Sequence, residues 1–227
     1  MGKTMKLQTW KYGALILPVL YFIYDYYLAK QLGTSADQIN ALSNSLILFI
    51  IILLIARKAN IKQFLDIIWF LVFSLYLMIL HYLVTYLYIG NFIKGQLTAH
   101  PHLQFQSINL VPFATIEATF NQIDPNFSVT IQVIGNILML APLAFFLLYF
   151  QLTKKAGKTF LWIVAVAIGI ECIQFLQTTF ASMYQLMPAN SHRSADIDDI
   201  ILNSCSGLLG ILAAYLIPKV RKRMGRK

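Results

Sequence analysis

Six stretches of this sequence, at about 13–29, 40–56, 67–89, 131–150, 159–180 and 197–217, are nearly free of charge over the length needed to cross a bilayer. A hydrocarbon core is spanned by roughly 17–25 apolar residues in helical form. Helices are required there because an open strand leaves its amides and carbonyls without partners in lipid. The sequence therefore predicts an all-α protein, a polytopic transmembrane helical bundle of about six spans. Composition agrees, with 58% hydrophobic and only 12% charged side chains, against about 25% charged in an average soluble domain.

The net charge of +9 would suit a nucleic-acid partner, but the placement of the basic residues argues against one. Lys3, Lys6 and Lys11 precede the first span, and Arg57, Lys58 and Lys62 lie between the second and third. Lys154, Lys155 and Lys158 follow the fourth, and Lys219, Arg221, Lys222, Arg223, Arg226 and Lys227 follow the sixth. Only Lys30, Lys94 and Arg193 fall on the other side. By the positive-inside rule, the sequence predicts a multi-pass cell-membrane protein with both termini cytoplasmic and no nucleic-acid partner. A division follows into a two-helix segment at 1–66, a membrane domain at 67–217 and a basic cytoplasmic tail at 218–227. The first span has the basic start of a secretion signal, yet no small-residue cleavage site follows it and Asp25 stands within its aromatics, so an uncleaved helix is expected. Cys172 and Cys205 lack metal-ligand spacing and read as small core residues.

Taken in order, the spans differ in polar content. Asp25, among Tyr21, Tyr24, Tyr26 and Tyr27, reads either as a headgroup-level carboxylate or as part of a site. The second span, rich in Ile and Leu, reads as featureless and lipid-facing. His81 in the third is a hydrogen-bonded core histidine or a functional one. The connection from about Gly90 to Thr130 is too long and too apolar for a plain loop, and is expected to lie on the membrane or dip back as a partial lid. Pro112 holds Val111 extended, so the chain should turn at the proline and any helix should begin after it, around Ala114 to Phe120. Pro142 breaks the fourth span by removing one backbone hydrogen bond.

The polar residues Asn109, Asn136, Glu171, Gln174, Arg193, Asp196, Asp199 and Asn203 come from distant parts of the chain, yet the predicted topology gathers them in or above the outer leaflet. A charge inside a span costs at least about 2.5–3.5 kcal/mol, so Glu171 should face inward toward a partner. Asp196, Asp199, Asn203 and Gly210 share one face of the last helix, and Asp198 points elsewhere. The small residues Ala165 and Gly169, facing Ser206 and Gly210, predict close packing of spans five and six, which would bring Glu171 toward Asn203 and Asp199, with Arg193 as the cation in reach. A purely structural origin competes with this, because Asp196 sits where an N-cap belongs and acids suit a first helical turn.

Four segments, NLVPF at Asn109 to Phe113, GNILMLAPLAFF at Gly135 to Phe146, IECIQ at Ile170 to Gln174 and RSADIDDIILNSCSGLLG at Arg193 to Gly210, resemble in order and spacing the VanZ-like family of bacterial membrane proteins. The resemblance covers about the last 120 residues and leaves out the first two spans. It implies a Gram-positive-style envelope setting, a bundle with its polar motif facing out, and an association with glycopeptide and teicoplanin resistance, but no catalytic mechanism. After the family's asparagine this chain reads Ser204, Cys205, Ser206 and Gly207, a mild departure that bears on packing.

Two functions fit these residues. One is an envelope protein that binds membrane lipid or a lipid-linked cell-wall component through Asn109, Asn136, Gln174 and Arg193, with no cofactor or metal. The other is a hydrolase or transferase acting on a lipid head group, with Glu171 and Asp199 as catalytic acid and base or as ligands for a divalent cation. A transporter would need polar residues along a whole path and internal repeats, and neither is visible. The oligomeric state is left open.

Overall fold

The computed structural model describes residues 7–97, 105, 108–121, 127–184 and 195–223, with the backbone alone for 127–132. Five helices are long and apolar enough to cross a membrane, namely Leu7–Leu32, Ser35–Lys58, Phe64–Lys94, Ala156–Met183 and Ile197–Leu216. The expected fourth span is two shorter pieces. Contacts divide the chain into two compact units, Met1–Gln104 with Leu176–Arg193, and Phe105–Phe175 with Ser194–Lys227.

In the first unit, α1 (Ile16–Leu32), α2 (Ser35–Lys58) and α3 (Phe64–Leu80) follow one another through short turns, and a brief α4 (Ile89–Lys94) closes the series. The capping box of Thr34 and Asp37 starts α2, each side chain taking the other's backbone N–H. Lys11 sits buried and donates to the carbonyl of Ala59 at 2.8 Å, which ties the start of the chain to the turn after α2.

The second span is not the featureless, lipid-facing helix expected. Asn40, Asn44 and Ser45 form a buried polar stripe on α2, because two asparagines one turn apart at membrane depth must find partners. Asn44 donates to the carbonyls of Asn40 and Leu87, and its Oδ1 accepts from Leu87 N and from His81 Nε2. His81 is thus a hydrogen-bonded core residue, with Nδ1 facing Thr85 Oγ1 at 2.9 Å. Asn40 holds Asn91 and the amide of Gly90. Gly90 comes so close to α2 that a Cβ there would lie 1.9 Å from the Ala36 carbonyl oxygen.

These bonds stabilise an irregular backbone, the π-helical turn His81–Thr85 that extends α3. Asn44→Leu would leave the N–H and C=O of Leu87 without their partner. The expected cost is roughly 2 kcal/mol, seen as a lower thermal midpoint of the detergent-solubilised protein, and an unchanged midpoint would show the network to be dispensable.

In the second unit, a two-residue parallel ladder joins β1 (Ile108–Asn109) to β2 (Ala195–Asp196), with Ile108 opposite Ala195 and Asn109 opposite Asp196. Helix α5 covers Ala114–Phe120, the segment that the Pro112 restriction predicts. The fourth span is α6 (Phe127–Met139) and α7 (Ala141–Tyr149), interrupted at Leu140. Pro142 supplies no N–H, and Ser206 of α9 (Ile197–Leu216) accepts the Leu140 N–H at 3.0 Å, so a side chain from another helix completes the broken ladder. The helix α8 (Ala156–Met183) and the terminal α10 (Pro218–Arg223) complete the fold.

Two packing expectations change. Helix α9 packs chiefly on α6 and α7. Gly210 faces Ala141 and Ser206 faces Leu140, and Gly207 meets α8 at Ile163. Gly169 has open space where a Cβ would stand, so the small-residue pairing expected between spans five and six does not form. Cys172 and Cys205 are exposed on the helix surfaces instead of filling the core, since each lies off the packed face of its helix.

Candidate functional site

The densest polar arrangement in the second unit is built on the mouth of α9. Asp196 is its N-cap and accepts from the Asp198 amide at 2.9 Å. Its own N–H donates to Glu171 Oε2 of α8 at 3.0 Å. Glu171, a carboxylate within a span, therefore stabilises the entry of the chain into the next helix. The second oxygen of Asp196 accepts from Thr115 Oγ1 at 2.5 Å, and Asn109 Nδ2 donates to Asp196 Oδ1 and Thr115 Oγ1, each at 3.1 Å.

Asp198 lies off the face shared by Asp196 and Asp199, as expected, and its role was not legible from that face. It is wholly buried and accepts three backbone N–H groups from the segment after Pro112. Phe113 donates to Oδ1 at 2.5 Å, and Thr115 and Ile116 donate to Oδ2 at 2.8 and 3.1 Å. These are the orphan donors at the start of α5, which a carboxylate satisfies well. Helix α5 is thus capped by an acid from the first turn of α9. A signal did exist, since three acids in one helical mouth exceed what that helix needs for its own cap.

The turn leading into α5 is held under strain. Phe113 has φ of +66°, a left-handed conformation that costs a bulky residue roughly 1–2 kcal/mol. Asn109 Oδ1 accepts from Val111 N at 3.1 Å and shapes the approach to the turn. The turn exposes Leu110, Val111 and Phe113, and α5 exposes Phe120 at its far end.

Of the remaining residues expected at the site, Asn136 of α6 donates to Asp199 Oδ1 at 2.5 Å. Asn203 is wholly buried one turn below Asp199, and neither of its side-chain polar atoms has a hydrogen-bond partner among the described residues. Glu171 Oε2 accepts the backbone N–H of Asp196. Gln174 is buried on α8 and no bond joins it to the described members of the cluster. Arg193 lies outside the described residues. Among the described residues no three His, Cys, Asp or Glu side chains gather as a metal-binding group.

A family model described as VanZ/LLP1 matches residues 73–218. The match takes in β1, α5, the broken fourth span, Glu171 and the whole acidic mouth of α9, and it begins in α3, earlier than the four sequence motifs. No curated protein and no solved structure matches the chain. With more than half of its length matched and its apolar helices in place, this membrane protein belongs to the VanZ/LLP1 family.

Proposed function

We propose that this protein acts in the bacterial cell envelope as a binding protein for a lipid-linked cell-wall component at the outer leaflet, and that drug tolerance of the glycopeptide type follows from that binding. The observation that carries the proposal is the use made of the carboxylates. Asp196 and Asp198 hold a strained turn that aims Leu110, Val111 and Phe113 outward, at 72%, 64% and 58% exposure. The clustering of basic residues at the opposite span ends supports an outer-side position for this turn. Apolar side chains on a fixed turn would meet the hydrocarbon part of an amphiphile, and the polar residues around the turn would meet its head group.

A head-group hydrolase or transferase working through Glu171 and Asp199 has less support. Glu171 Oε2 already accepts the Asp196 amide and Asp199 Oδ1 accepts from Asn136, so both acids are engaged in holding the fold.

Phe113→Gly separates the roles of shape and stability. Glycine adopts φ of +66° without a Cβ clash, so the variant is expected to accumulate at or above the wild-type level and to unfold at a higher temperature. In a strain lacking the native copy it should nonetheless fail to restore tolerance to teicoplanin. Full restoration by Phe113→Gly would refute a contact role for the turn, and loss of restoration by a well-accumulated Glu171→Gln with the turn intact would favour the enzyme.

A further inference from the structure

The first unit contains a cavity of about 350 Å³ lined by Asp25, Tyr82, Tyr86, Tyr88 and Gln177. Its volume suits a head group and not a whole lipid, being near the lower end of the roughly 300–1,000 Å³ usual for ligand sites. One wall is α1, which carries Asp25. The other is the π-helical turn His81–Thr85 and the residues that follow it. Such turns are rare and recur at functional sites, and this one is kept in shape by the His81 and Asn44 network.

The lining has a definite chemistry. Among the described residues Asp25 is its one carboxylate and no lysine or arginine lines it, although the chain carries a net charge of +9. Asp25 Oδ2 and the Tyr21 hydroxyl one turn earlier are buried beside each other, and neither has a hydrogen-bond partner elsewhere among the described residues. An acceptor left unmatched inside an apolar span is costly. The tyrosine rings pack edge to face, Tyr82 on Tyr86 at 6.0 Å and Tyr86 on Tyr88 at 5.2 Å. The Gln177 amide nitrogen is spent on the Tyr86 carbonyl, which leaves its carboxamide oxygen, an acceptor, as the group it can offer. An acidic oxygen, a carboxamide oxygen and aromatic faces together favour a cation with several N–H donors.

We propose that this cavity binds an organic ammonium group, with Asp25 as its counter-ion and Tyr82, Tyr86 and Tyr88 as its aromatic wall. The group could be carried by a lipid head group or by a soluble amine, and in both cases the recognition is the same. The inference stands on the first unit alone and is independent of the function proposed for the turn at Phe113.

The test is native mass spectrometry of the full-length protein in detergent, supplied with equal amounts of phosphatidylethanolamine and phosphatidylglycerol. Wild-type protein should retain phosphatidylethanolamine in preference. Asp25→Asn should reduce that retention roughly ten-fold, as expected for losing about 1.4 kcal/mol. Tyr82→Ala should reduce it several-fold, and its ring is exposed enough that folding does not depend on it, so this variant decides the matter should Asp25→Asn fail to accumulate. Ethanolamine added at millimolar concentration distinguishes the sources: displacement of the lipid supports a soluble amine as occupant, and retention supports a lipid-borne one. Equal retention of the two lipids by wild type, or unchanged preference in both variants, overturns the proposal.

Discussion

Asp198→Asn is expected to unpin the segment from Asn109 to Asn121 while leaving α9 helical. The carboxylate accepts from Phe113, Thr115 and Ile116, and an asparagine keeps one acceptor oxygen while presenting an N–H₂ group to donors. The –NH₂ then faces the Phe113 N–H or those of Thr115 and Ile116, so one or two buried amides lose their acceptor and meet a donor, at a cost of roughly 3–5 kcal/mol. The strain at Phe113, with φ at +66°, adds to this, because its own N–H is one of the groups that Asp198 holds. Hydrogen–deuterium exchange gives the readout: the amides of Phe113, Thr115 and Ile116 should exchange at least about ten-fold faster. Asp199→Asn serves as the control, since that side chain bonds Asn136 and not the turn. Equal protection in wild type and Asp198→Asn would mean that the turn is held by its own packing.

Gly210→Ala and Gly169→Ala should have opposite signs. A Cβ at Gly210 would stand 2.0 Å from the Ala141 carbonyl oxygen and 2.8 Å from its carbon, so backbone has to move. Overpacking of this kind costs about 3 kcal/mol, well above the roughly 1 kcal/mol that alanine gains over glycine inside a helix. Loss of accumulation in the membrane is expected. At Gly169 a Cβ meets nothing within 4 Å, and only the helical gain remains, so that variant should unfold at a slightly higher temperature. Two mild variants, or two damaging ones, would show that α9 does not seat on α7 as described.

The difference between these glycines marks how far the sequence could be read. Apolar runs and proline rules act locally, so the long helices, the break near Pro142 and the start of α5 after Pro112 were all legible. The N-cap role of Asp196 was legible for the same reason. Pairing between distant segments was not. Glycine at a small-residue spacing signals that a close approach is permitted, without saying to what, and Gly210 meets the fourth span while Gly169 meets nothing. Asp198 bonds backbone amides some 85 residues away in sequence, and backbone donors leave no residue signature to match. The buried stripe of Asn40 and Asn44 could have been found by asking what each amide would bond at membrane depth, a question the surrounding Ile and Leu residues obscured.

The break at Leu140 also constrains how the protein is made. At 1.5 Å per residue, α6 and α7, of 13 and 9 residues, are about 20 Å and about 14 Å long, and neither crosses a bilayer alone. Their junction presents a Leu140 N–H whose acceptor, Ser206, is synthesised more than sixty residues later. Until α9 is made, the Leu140 N–H lacks the acceptor that Ser206 supplies in the folded protein. Release of the fourth segment from the insertion machinery is therefore expected to be slower in a chain truncated before Ser206 than in the full-length chain.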